Sequence, residues 1–190
     1  EKRPAILAVG LGNAFVTPDS LGPQVLKELK VTRHLPSQYG ENFLKERQMS
    51  EISGIAPGVM AQTGMETAEI LKGIIRETKP SLVIAIDALA ARSIHRLCTT
   101  IQLTDTGIQP GSGVGNHRNS LTKESLGVPV LAIGVPTVVG AAAIVHDTFS
   151  ALVKALARRE ETRGTGLWID QMEKEEQYQL IRELLEPEFG

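Results

Sequence analysis

Short apolar runs, each closed by glycine, proline or a polar cluster, alternate along the chain with stretches in which apolar residues recur at helical spacing. The first pattern reads as strands buried on both faces of a sheet, the second as amphipathic helices. Pro4 to Gly10 is the first such strand. After a turn from Gly12 to Asp19, the spacing of Leu21, Val25, Leu26 and Leu29 predicts a helix, with Pro23 near its start, where a missing N–H costs nothing. Val31 to Arg47 mixes Pro36, Gly40 and charges without a period and predicts a mobile loop with one helical turn. A weaker strand is expected from Ile52 to Val59, broken by Gly54 and Pro57, and a helix from Met65 to Glu77 with Ile70, Leu71, Ile74 and Ile75 on one face. Ser81 to Asp87 is the clearest central strand, and Thr99 to Leu103 and Val128 to Ile133 supply two more. Between these two, Asp105 to Gly127 is rich in Gly, Ser and Asn and predicts a long surface loop. An Ala-rich helix from Ala141 to Arg159 is expected to cover the sheet, and a last amphipathic helix spans about 174 to 187. Strand alternating with helix predicts an α/β fold: a three-layer sandwich with a mainly parallel central sheet, as one domain over residues 1–190.

Composition narrows the chemistry. Of 190 residues, 42% are hydrophobic, enough for a packed core. Lys plus Arg total 20 against 22 for Asp plus Glu, so no basic footprint for nucleic acid or an anionic membrane exists. Neither long apolar stretch, Val83 to Ala91 or Val128 to Val145, offers the ~20 unbroken residues of a spanning helix. Cys98 is the single cysteine and cannot make an internal disulfide; with no charged-then-apolar signal segment, a cytoplasmic setting is expected. Four scattered histidines, His34, His95, His117 and His146, argue against a metal site. Carboxylates, hydroxyls and backbone groups remain.

Several motifs fail on inspection. Gly10-Leu11-Gly12-Asn13 follows a strand as a dinucleotide turn would, but Phe15 occupies the place of the third glycine. Gly111-Ser112-Gly113-Val114-Gly115 lacks the Lys and helix of a phosphate loop; its N–H groups can instead meet an oxyanion or an extended peptide. Asp105-Thr106-Gly107 stands alone, whereas pepsin-like proteases pair two such triplets in an all-β fold, so it reads as a polar turn. No serine sits in a nucleophile elbow, Cys98 reads as a small core residue, and Asp147 as solvated or capping.

Two acids stand out. Asp87 ends the most apolar strand, where an ionised carboxylate costs several kcal/mol unless it is paired or hydrogen-bonded. Asp19 follows the first strand at the start of the first helix. Each can instead be a helix cap. Ligands of open α/β sheets bind beyond the carboxyl ends of the strands, and both acids map to that edge. With the first strand beside the one carrying Asp87, the two carboxylates can share a proton, one acting as acid and one as base.

The residues also carry a resemblance. Val9-Gly10-Leu11-Gly12-Asn13 with Val16-Thr17-Pro18-Asp19-Ser20-Leu21-Gly22-Pro23 resembles the germination proteases of spore-forming bacteria. The same holds for Ala56-Pro57-Gly58-Val59-Met60 with Gln62-Thr63-Gly64-Met65-Glu66-Thr67, for Ile86-Asp87-Ala88-Leu89-Ala90-Ala91-Arg92, for Asp105 to Ile108 with Pro110 to Asn116, and for Ile133-Gly134-Val135-Pro136-Thr137-Val138-Val139. The resemblance covers about residues 5 to 159. It implies an atypical aspartic endopeptidase, made as a zymogen, homotetrameric, in the cytoplasm of the developing spore, with small acid-soluble spore proteins as substrate. It also implies a phosphorylase/hydrolase-like fold similar to that of the hydrogenase-maturation endopeptidases, whose acids at the corresponding strand ends bind a metal along with a histidine; no histidine of this sequence fits that role, so neither metal nor cofactor is expected. Motif on motif, its catalytic aspartates fall at Asp19 and Asp87. Arg92, Gly111, Ser112, Gly113 and Asn116 are the expected substrate-binding residues. Gly140 stands where the family usually has an aspartate, and the chain begins close to its first strand, so the pro-segment is expected to be absent. The alternatives are a metal-dependent processing endopeptidase and an inactive binding homologue.

Overall fold

The computed structural model describes residues 4–111 and 119–157, together with the single residues 173, 176, 179 and 183. The expected helix at 174–187 therefore lies outside the described residues, apart from three of those single residues. The chain divides into two compact units, Glu1–Leu89 with Thr100–Thr137, and Ala90–Thr99 with Val138–Gly190.

Five strands form one sheet: β1 (Ala5–Gly10), β2 (Glu51–Ile55), β3 (Leu82–Ala91), β4 (Gln102–Thr104) and β5 (Val130–Val139). Their order is β2-β1-β3-β5-β4. The sheet is mainly parallel, as expected: β1 runs parallel to both β2 and β3, and the short edge strand β4 is antiparallel to its neighbour β5. The apolar runs are buried because they fill this sheet. Leu7, Val9, Val83, Ala85 and Val130 pack with Leu71, Leu121 and Leu126 in one cluster. Burying each Val or Leu contributes roughly 1.5–3 kcal/mol.

Seven helices are described: α1 (Leu21–Glu28), α2 (Leu35–Tyr39), α3 (Phe43–Glu46), α4 (Met60–Thr63), α5 (Thr67–Thr78), α6 (Lys123–Leu126) and α7 (Ala141–Ala157). Helix α5 begins where the Glu66 N–H donates to Glu69 Oε2 at 3.0 Å and stops at Lys79, a left-handed residue with φ 46°. Such an arrangement satisfies an orphan N–H at one end and turns the chain out of the helix at the other.

Several expectations need correction. Val31 to Arg47 contains two short helices, α2 and α3, stabilised by Tyr39 and Phe43 rings 4.8 Å apart with Arg47 over Phe43. Strand β5 runs six residues past Ile133, through Gly134 and Pro136. A Cβ on Gly134 would come within 2.3 Å of Leu89 Cδ1, so the glycine makes room for that side chain rather than ending the strand. Strand β3 likewise continues past Asp87 to Ala91, followed by a 3-10 turn at Ile94–Arg96, which removes the helix that Asp87 was to cap. Cys98 is exposed, with φ 53°, rather than a core residue.

Candidate active site

The two candidate acids are placed from the carboxyl end of β1 outward. Gly10 pairs with Ile86 in the parallel register, and the Leu11 N–H donates to the Ile86 carbonyl at 2.8 Å. Strand β1 thus ends beside Asp87, which lies within β3 rather than at its end. Asp87 is 4% exposed and is the one ionisable side chain fully buried among the described residues. The Ala88 N–H donates to its Oδ1 at 2.9 Å, a bond to a carboxylate in surroundings where an unsatisfied charge is costly.

Asp19 reaches the same place by another route. It ends a one-turn 3-10 helix, Thr17–Asp19, that leads into α1. The Asn13 N–H donates to Asp19 Oδ2 at 2.7 Å. Gly12 has φ 104°, and a Cβ there would stand 2.1 Å from the Asp19 carbonyl oxygen and 2.9 Å from Oδ1. Only glycine fits, on both grounds. Three residues beyond Asp19, Gly22 presses on the sheet: its Cβ would meet Leu11 O at 2.3 Å, Leu11 N at 2.5 Å and Ile86 O at 2.6 Å. The backbone just after Asp19 and the backbone just before Asp87 are therefore in direct contact. From the far side, the Thr137 hydroxyl donates to the Pro18 carbonyl at 2.5 Å. Thr137 was not singled out from the sequence as a site residue, although its motif was.

Gly111 belongs to the first unit and has φ 73°; Ser112, Gly113 and Asn116 lie outside the described residues. Arg92 is exposed at the end of β3 and belongs to the second unit. Asp105 and Thr106 are exposed in a bend, and half-buried Gly107 follows at φ 96°. A cleft of about 610 Å³ opens elsewhere in the first unit, lined by residues that include Arg33, His34, Glu51 and Ser53, and neither aspartate lines it. Among the described residues no three His, Cys, Asp or Glu side chains converge as a metal site would require, and no helix is long and apolar enough to cross a membrane.

The second unit holds its own polar cluster. Asp147 on α7, its side chain 14% exposed, accepts from the Ser93 hydroxyl and the Ile94 N–H, each at 2.8 Å, and lies 3.3 Å from His146 Nδ1. Burial pushes its carboxyl up, but the bonds from Ser93, Ile94 and His146 outweigh this and hold it below the ordinary value. Asp147 is thus neither merely solvated nor a cap of its own helix.

Fold and site together define an α/β protein with its candidate chemistry at the carboxyl edge of parallel strands, where two acids are supplied by neighbouring backbone segments. The chain belongs to the germination protease family, which it matches over residues 1–166. A germination protease of Caldanaerobacter subterraneus subsp. tengcongensis is 53% identical over 194 residues, covering 98% of this chain and 57% of that protein. Germination proteases of Bacillus subtilis and Bacillus velezensis are each 55% identical over 157 residues, covering 83% of this chain and 42% of theirs. The chain spans about half the length of these relatives. Among solved structures, the NiFe hydrogenase maturation protease HycI of Thermococcus kodakarensis KOD1 is 20% identical, with a TM-score of 0.41, covering 80% of this chain and 94% of that one.

Proposed function

We propose that this chain carries the catalytic acids of a spore endopeptidase that begins the breakdown of small acid-soluble spore proteins at germination. Asp19 and Asp87 work as a pair. The observation that carries this reading is the seating of Gly22 on the Ile86 carbonyl, which ties the turn bearing Asp19 to the strand bearing the buried Asp87.

The pair acts on water and a peptide bond. One carboxylate takes a proton from water as its oxygen attacks the scissile carbonyl carbon. The other, protonated, donates a hydrogen bond to the carbonyl oxygen as negative charge develops there. The tetrahedral intermediate collapses when the first acid returns its proton to the leaving nitrogen, the C–N bond breaks, and the pair is restored with one proton between them. Like charges at close range favour that single shared proton. No cofactor enters this scheme.

Arg92 reads an acidic side chain of the substrate, and Gly111, Ser112, Gly113 and Asn116 hold substrate backbone by strand addition. The active assembly is a homotetramer in the cytoplasm of the spore, matured from a zymogen. The test is Asp19→Asn and Asp87→Asn, each assayed for cleavage of a small acid-soluble spore protein and for thermal unfolding. A folded variant with cleavage abolished supports the reading. Undiminished cleavage in either variant overturns it and leaves a binding homologue or another chemistry.

A further inference from the structure

Two of the sequence blocks noted above, Gly12-Asn13 and Gly58 to Gln62, have no part in the mechanism as written, yet they meet beside Asp19. Asn13 lies at the meeting point. Its main-chain N–H holds Asp19 Oδ2 at 2.7 Å. Its side-chain Oδ1 accepts from the Phe15 N–H at 3.0 Å, closing a turn on its own backbone, and from Gln62 Nε2 at 3.2 Å. The Val16 N–H donates to the Asn13 carbonyl at 3.1 Å and completes the turn. Gln62 can reach across because residue 58 is glycine: a Cβ there would stand 2.8 Å from Gln62 Oε1.

We infer that Asn13 is the positioning residue of Asp19, with Gln62 on α4 as its outer brace. The inference rests on the reading of Asp19 as a catalytic acid. A peptide N–H orients a carboxylate only as firmly as its own peptide plane is held, and here that plane is flanked by Gly12, the most permissive of residues. The Asn13 side chain removes this freedom by fixing the turn to Phe15 on one side and to α4 on the other, as asparagine does where its amide oxygen engages the main chain two residues on. The Asn13 side chain acts through Asp19, so its loss alters the rate of the chemical step and leaves substrate affinity in place.

The experiment is a steady-state comparison of Asn13→Ala, Asn13→Ser and Gln62→Ala in the full chain, with Asp19→Asn alongside and a small acid-soluble spore protein as substrate. Asn13→Ala is expected to lower kcat about 10- to 100-fold with KM within about 3-fold. Serine keeps an oxygen for the Phe15 N–H but is too short for Gln62, so Asn13→Ser should recover part of the loss. Gln62→Ala is expected to lower kcat a few-fold with the melting temperature unchanged. Parental kcat in Asn13→Ala, beside an inactive Asp19→Asn, overturns the positioning role alone. A coupled fall of kcat and melting temperature in Asn13→Ala, with Gln62→Ala fully active, also overturns it by reducing Asn13 to a structural part. Full activity in Asp19→Asn removes the reading beneath it as well.

Discussion

Replacing Gly22 with alanine tests the geometry of the site without touching an ionisable group. The added methyl would lie 2.3 Å from Leu11 O, 2.5 Å from Leu11 N and 2.6 Å from Ile86 O, where ordinary contact begins at 3.4 Å. All three neighbours are backbone atoms, two of buried Leu11 just past β1 and one of Ile86 in β3, so none can rotate away; the first turn of α1 must back off by about 1 Å. Overpacking of this kind typically costs about 1–3 kcal/mol, and a catalytic group displaced by about 1 Å can lose on the order of 100-fold in rate. Asp19 lies three residues upstream, so Gly22→Ala should lower both the denaturation midpoint and peptide cleavage, with the rate falling further than the lost stability explains. Urea unfolding followed by far-UV circular dichroism, together with steady-state cleavage under native conditions, reads both. A variant with parental midpoint and parental rate would refute the contact between the α1 turn and the β1–β3 pair.

Three further expectations follow from single contacts. Gly73 lies exposed within α5 and a Cβ there would meet nothing within 4 Å, so Gly73→Ala should stabilise by about 0.5–1 kcal/mol in the same urea titration, the opposite sign to Gly22→Ala. Thr32, 3% exposed, donates its hydroxyl to the Ser50 carbonyl at 2.7 Å and accepts from the Ile52 N–H at 2.8 Å; Thr32→Val strands both groups and should cost about 1–3 kcal/mol by thermal unfolding. Asp147 has a depressed carboxyl in the folded state, so its stabilising contribution is complete above the ordinary carboxylate range near pH ~4 and drains away as pH falls through the folded value. Asp147→Asn should therefore be less stable than the parent at neutral pH, with the difference shrinking below about pH 4 in melting curves recorded across that range.

The sheet was legible where burial on both faces leaves an unbroken apolar run, as in Ile6 to Val9 and Leu82 to Ile86. The placing of β1 next to the strand of Asp87 was legible too, because parallel α/β sheets draw on few topologies. Asp87 stood out as a carboxylate within apolar sequence. What could not be read depends on contacts distant in sequence. Ala88 to Ala91 carries little strand propensity and joins β3 through its place in the sheet; Gly134 and Pro136 look like breakers until the Leu89 side chain over Gly134 accounts for the glycine. The bracing of Asn13 by Gln62 spans 49 positions, and the Thr137 bond to Pro18 spans 119, so neither leaves a local signature. Asp147 was passed over for the same reason: its partners Ser93 and Ile94 lie more than 50 residues away on another element.

The account turns on two acids acting as one unit, and a double-mutant cycle measures that directly. Steady-state kcat/KM is determined for the parent, Asp19→Asn, Asp87→Asn and the double variant, each checked for folding by circular dichroism. Groups that act together are strongly non-additive, so each single change should cost at least about 1,000-fold and the double change little more than either. Multiplicative losses in the double variant, or a single variant cleaving at the parental rate, would contradict the pair.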